Sequence, residues 1–192
     1  FWSMAFETYC IDMANEFEPG KFDPIKEMMP NYEPPASSAD GGKIDLEEYP
    51  IILTTGRRIP VYFHSEHRQL PWCRELWPVP RVEINPKTAA EYGIEQGDWV
   101  WIETEWGKIR EVADLYYGVK EDVINLEHTW WYPEVKDAGH GWQFSQVNQL
   151  IDHYAQDPHS GTSNLRAYQV KIYKATPENS PFNNPVPCDS TG

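Results

Sequence analysis

The sequence predicts a mainly β chain closed into a barrel, on three observations. Its apolar runs are short, as in Ile51-Ile52-Leu53 and Val123-Ile124-Asn125-Leu126, and glycine or Asp/Asn turns bound them. Tyr168, Val170 and Ile172 alternate with polar residues, the two-residue period of a strand with one buried face. Helix signals are few and stubby. Several short strands joined by glycine turns favour a closed barrel over a sandwich. A doubly wound nucleotide fold lacks support, since the chain has no G-x-G-x-x-G and no long crossover helix.

Residues 1–49 read as a connecting arm, because 16–45 is rich in Pro, Gly, Ser and acid and Pro30-Asn31-Tyr32-Glu33-Pro34-Pro35 favours extended backbone. The domain is expected over 50–175. Residues 51–54 form its first strand, 61–64 a second and 81–84 a third. Asn85-Pro86 through Gly93 is a helix signal: Asn as N-cap, Pro at the first helical position, Gly at the stop. Gly97-Asp98 turns into a strand at 99–104, and Trp106-Gly107 turns again into a strand at 108–117. A buried strand follows at 123–126, then a short helix at 145–153 capped by Ser145, and a last strand within 165–174. Residues 176–192, with Pro177, Pro181, Pro185 and Pro187, make an irregular tail.

The formal net charge of -14 argues against general nucleic-acid binding, which needs a cationic footprint. No uninterrupted apolar run approaches the length of a bilayer span, so membrane insertion is not expected. The start lacks the charged and apolar regions of a signal peptide, and a chain opening at Phe1 reads as a piece of something longer. Cys10, Cys73 and Cys188 are widely spaced with no C-x-x-C, the pattern of unconnected thiols rather than a zinc or iron–sulfur site. One cationic island stands out. Arg57, Arg58, Arg68 and Arg74, with His64 and His67, are opposed only by Glu66 between positions 57 and 74. It opens on a Thr-Thr-Gly turn after an apolar strand, where backbone N–H groups and guanidinium forks meet an anion readily. The competing reading is pairing with nearby carboxylates on a solvated face. The 9 Trp and 11 Tyr raise a further alternative, an aromatic-rich carbohydrate-binding or protein-interaction module.

The order of short motifs carries more than any one of them. It runs Thr55-Gly56-Arg57, His64-Ser65, Ile84-Asn85-Pro86 with Ala89 or Ala90, Gly93-Ile94, and Gly97-Asp98 with Val100. It continues Gly107-Lys108-Ile109, His128-Thr129-Trp130-Trp131, Asn148-Gln149-Leu150 and Asp157-Pro158-His159-Ser160-Gly161. This set, from about 51 to 174, resembles the C-terminal molybdopterin-dinucleotide-binding domain of the dimethyl sulfoxide reductase family of molybdenum and tungsten enzymes. Phe6-Glu7-Thr8 and the proline-rich 30–35 resemble the segment leading into that domain. Tyr9-Cys10-Ile11-Asp12 stands where the family has S/T-G-K-x-E.

The resemblance implies a six-stranded double-psi β-barrel with a few short helices, capping molybdopterin guanine dinucleotide that carries Mo or W. It implies as partners the preceding domains of a parent enzyme and, in some relatives, an iron–sulfur subunit; compartments in the family include the prokaryotic cytoplasm, periplasm and cell exterior. Thr55, Gly56 and Arg57 offer amides and charge to a pyrophosphate. Ser65 beside His64 can donate to a phosphate or pterin oxygen, and Arg68 can add charge. His128 is a switchable donor and Trp131 a flat wall near the pterin, while Asn148 and Gln149 match an edge of donors and acceptors. Trp99, Trp101 and Trp106 read as packing or interdomain surface, and His140, His153 and His159 as surface histidines. No Ser-His-Asp, paired-carboxylate or P-loop arrangement gives the chain an activity of its own, and the metal ligand belongs to an earlier domain. The chain alone is therefore not expected to be catalytic, although double-psi barrels do also occur as small stand-alone enzymes.

Overall fold

The computed structural model describes residues 44–57, 59–152 and 167–180, with the backbone alone for Arg57. By internal packing the chain divides into two compact units, Phe1–Lys43 with Asp152–Asn164 and Ile44–Ile151 with Leu165–Gly192; the barrel lies in the second. Its strands are β1 (Ile51–Arg57), β2 (Arg81–Ile84), β3 (Trp99–Glu103), β4 (Lys108–Leu115), β5 (Val123–Glu127) and β6 (Tyr168–Lys174). They close in the order β1-β5-β2-β4-β3-β6, the six-stranded double-psi barrel that the resemblance implies. β1 runs parallel to β5 and β2 parallel to β4; the other four pairings are antiparallel.

Strand direction fixes the rims. With β1 pointing up, β5 and β3 also point up while β2, β4 and β6 point down. The β1–β2 and β5–β6 connections and the β3–β4 hairpin therefore all begin and end on the upper rim. The alternation in the sequence places Leu53, Val82, Ile84, Ile102, Ile124 and Val170 in the core, each at most 1 % exposed. A second buried cluster, Ile59, Tyr62, Trp130 and Tyr132, is built from the β1–β2 and β5–β6 connections and includes half-buried Trp99 of β3.

Helix α2 (Pro86–Glu91) forms for the reasons its sequence gives. Asn85 Oδ1 accepts from the Lys87 amide at 3.0 Å, Pro86 sits in the first turn, and Gly93 takes φ +65°, where a side chain is strained. Its inner residues Thr88 and Ala89 are buried.

Four elements differ from the expectation. Residues 61–64 are a turn and irregular chain, because Tyr62 enters the second cluster instead of a ladder. Helix α1 (Pro71–Leu76) has no side-chain cap, so the sequence lacks the usual start signal beyond Pro71. The helix expected at 145–153 is replaced by two 3-10 turns, Trp142–Phe144 and Val147–Leu150. Ser145 is the N-cap of neither; it follows the first as its C-cap, and its buried hydroxyl donates to the Arg110 carbonyl at 2.6 Å. Finally, β4 stops at Leu115, leaving Tyr116 and Tyr117 exposed. The arm motifs of 1–43, Arg58, the Asp157–Gly161 motif, His153, His159 and the tail beyond 180 lie outside the described residues.

Candidate functional site

The site begins where β1 ends. Between Thr55 and Arg57 the β1–β5 register shifts, so that Thr55 pairs with Leu126 and Arg57 with Glu127. Gly56 occupies that bulge at φ +106° and is exposed, a backbone conformation that a side chain would strain. The bulge turns the chain out of the ladder and onto the rim, beside the end of β5.

The segments that follow β1 and β5 are tied to each other. His64 Nδ1 and His128 Nε2 lie 2.9 Å apart. Trp131 Nε1 donates to the Ser65 carbonyl at 2.6 Å, and Arg68 donates to the Thr129 carbonyl at 2.6 Å and to the Glu66 carbonyl at 3.2 Å. Five of the expected residues, His64, Ser65, Arg68, His128 and Trp131, are thus brought together from positions more than sixty residues apart.

Their exposures divide the roles. His64 and Ser65 are exposed, and His128 and Trp131 are half-buried. Arg68 is only 2 % exposed, with its guanidinium 3.8 Å from the Tyr62 ring centre and 4.5 Å from that of Trp130. Burial pushes the guanidinium down to about 10, which leaves it a cation at neutral pH. Arg68 therefore acts first as an internal post between the two connections. Arg74 of the same island pairs with Glu134.

A small cavity opens here, about 20 Å³, lined by residues that include Tyr62, His64, Arg68, Glu127, His128 and Thr129. That is room for about one water. Arg68 Nε and Thr129 Oγ1 are buried polar atoms with no hydrogen-bond partner among the described residues. Glu127, 1 % exposed, accepts from Trp77 Nε1 at 2.7 Å. The sequence reading missed Glu127, Thr129 and Trp77; Glu127 ends a buried strand, where a carboxylate is unusual, and that was the available signal.

Asn148 and Gln149 belong to a separate part of the same rim. They sit in the Val147–Leu150 turn, which packs on the β3–β4 hairpin: Thr104 Oγ1 donates to the Leu150 carbonyl at 3.1 Å. Asn148 is exposed and Gln149 half-buried. Trp101 is 2 % exposed and donates to Asn179 Oδ1 at 3.1 Å, so it packs against the chain rather than facing a ligand. His140 is exposed, as expected, with its ring against Trp131. Among the described residues no group of three or more His, Cys, Asp or Glu could hold a metal ion.

The donor set suits an anionic, planar ligand. An exposed glycine bulge, amide side chains, a half-buried indole and buried unpaired donors share one rim, and each has a counterpart in a pterin or a phosphate.

Comparison with known proteins points the same way. The model of the family described as "Molydopterin dinucleotide binding domain" matches residues 51–168. A dopamine dehydroxylase of Eggerthella lenta is 91% identical over 165 residues, a match covering 85% of this chain and 16% of that protein. Acetylene hydratase of Syntrophotalea acetylenica is 29% identical over 168 residues, covering 84% of this chain and 22% of its own. The solved structure of acetylene hydratase from Pelobacter acetylenicus superimposes with a TM-score of 0.71 at 28% identity, over 83% of this chain and 22% of that one. The chain spans less than a quarter of the length of these relatives.

Proposed function

The chain belongs to the molydopterin dinucleotide binding domain family, and from that membership we propose that its upper rim holds the pyrophosphate, pterin and guanine groups of molybdopterin guanine dinucleotide within a larger molybdenum or tungsten oxidoreductase. The convergence of Thr55-Gly56, His64-Ser65, His128 and Trp131 on one rim supports this reading, since packing alone gives no reason for exposed and half-buried polar groups from distant segments to meet. Gly56 and Thr55 would bind phosphate oxygens, Asn148 and Gln149 a planar donor–acceptor edge, and Trp131 a flat face. The bound group supplies the redox chemistry, and this domain supplies binding and orientation.

Other domains of the parent enclose the remaining faces of such a ligand, which needs burial over most of its surface. An iron–sulfur subunit is a further proposed partner. The 91% identity to dopamine dehydroxylase supports a parent that removes a hydroxyl from dopamine or a close analogue.

The test uses the intact parent. Arg57→Ala and Asn148→Ala each remove one charge-assisted or amide hydrogen bond, worth about 1–3 kcal/mol, and should lower the dinucleotide recovered per enzyme by roughly tenfold under limiting supply. Mass spectrometry of extracted cofactor reads this directly. Full retention in both variants would remove the site assignment while leaving the family membership intact.

A further inference from the structure

We propose that His64 and His128 form a single proton-binding site, in which the two rings take up one shared proton and place one positive charge, not two, on the rim. The observation is the 2.9 Å separation of His64 Nδ1 from His128 Nε2, with the rings edge to face at 5.1 Å. Two ring nitrogens at that distance accommodate one hydrogen between them.

The proton inventory follows. In the neutral pair one ring donates N–H to the lone pair of the other, and the donor ring keeps a lone pair on its second nitrogen. A proton from water adds there, forming a new N–H bond and turning the donor into an imidazolium whose existing bond to its neighbour becomes charge-assisted. A second proton could only go to the nitrogen that accepts that bond, which would set two N–H groups face to face. The first uptake strengthens the contact and the second breaks it.

The surroundings oppose that break. Arg68–Thr129 and Trp131–Ser65 clamp the two connections close to the pair. His64 itself takes φ +49°, a conformation that non-glycine residues adopt only when the surroundings impose it. Among the described residues, the charged and titratable groups on the elements packed around the pair include Glu66, His67, Arg68, Arg74 and Tyr62 on the β1–β2 connection, Glu127 at the end of β5, and Glu134 and His140 beyond Trp131. Glu66 lies 3.9 Å from His67, Glu134 is tied to Arg74, and His140 meets the Val135 carbonyl through Nδ1 at 2.8 Å.

Titration of the folded 192-residue chain with ¹⁵N-labelled histidine, over about pH 4 to about pH 9, tests this. Both rings should respond together in one step that binds one proton. His128→Gln and the exposed-site variant His64→Gln should each convert that joint step into the titration of one ring alone. Separate midpoints for the two wild-type rings, or a response from one ring only, would overturn the proposal.

A second arm uses inorganic pyrophosphate as the probe. It rests on the cofactor reading and expects tighter binding once the pair is protonated. A joint step with no pyrophosphate response leaves the proton site standing and counts against the phosphate contacts proposed for the rim.

Discussion

Tyr62 shows how a single side chain holds the rim together. Its hydroxyl donates to the Trp77 carbonyl at 2.7 Å, its ring meets Trp130 edge-on at 5.6 Å, and Arg68 lies over its face. Burial pushes the phenol from 10.0 up to about 12, against the pull of Arg74 and Arg68. The sign of the pH effect follows. Below about pH 10 the phenol is neutral in both states, and the stability tied to it is fully present. Between about 10 and about 12 the unfolded chain gives up the proton while the folded chain keeps it, so stability falls as pH rises. After allowance for partial solvent contact the loss is about 1–2 kcal/mol. Urea midpoints at about pH 9 and about pH 11 should show a smaller drop in Tyr62→Phe than in the wild type. Equal drops in the two proteins would mean that Tyr49 and Tyr173, whose phenols are also pushed up mainly by burial, carry the whole effect.

At the scale of elements, close approach of backbone makes the testable difference. Gly107 ends the β3–β4 hairpin against the carbonyl of Gln149, and a Cβ there would come nearer to that oxygen than real Cβ atoms do. Gly107→Ala should push the hairpin and the Val147–Leu150 turn apart, at about 1–3 kcal/mol. The urea midpoint should fall accordingly, and the amide signals of Asn148 and Gln149 should shift; an unshifted turn would show that the contact yields elsewhere. The same contact illustrates what a sequence can and cannot display. The strands at 81–84 and 168–174 were legible because Val82, Ile84, Val170 and Ile172 alternate with less buried residues, and α2 because Asn85-Pro86 and Gly93 mark both its ends. Residues 61–64 carry strand-forming side chains but have no ladder to join, and α1 lacks a polar cap, so neither local pattern announces its outcome. Ser145 was read as a cap, the commonest local use of serine, whereas its bonds run to Arg110 and Tyr132, partners that only the fold supplies. Within the site, residue types alone announced polar contacts, but not that Arg68 turns inward between two aromatic rings.

For the barrel unit as a whole, the question is whether the rim opens with the barrel or before it. A closed six-stranded barrel has no edge from which to fray, whereas the described part of the connection after β5 is fastened to it through side chains. Ser145 is one such tie: its hydroxyl donates to the Arg110 carbonyl on β4 at 2.6 Å and meets the Tyr132 hydroxyl at 2.6 Å, all among buried residues. Thr104 Oγ1 adds a second fastening through the Leu150 carbonyl. In the wild type these welds should make the Tyr132 amide, bonded to the His140 carbonyl at 2.7 Å, exchange with the same urea dependence as Leu53 and Ile102 in the ladders. Ser145→Ala removes two buried hydrogen bonds, about 1–3 kcal/mol. Both the rim and the ladder amides should then exchange about tenfold faster or more, because global unfolding breaks these bonds as well. If the rim is a separable unit fastened at this point, the Tyr132 amide of the variant should exchange with a weaker urea dependence than the ladder amides. An equal urea dependence of ladder and rim in the variant would mean that the two open only together, whereas a weaker one at Tyr132 would mark Ser145 as the fastening that keeps the ligand-facing connection from opening ahead of the barrel.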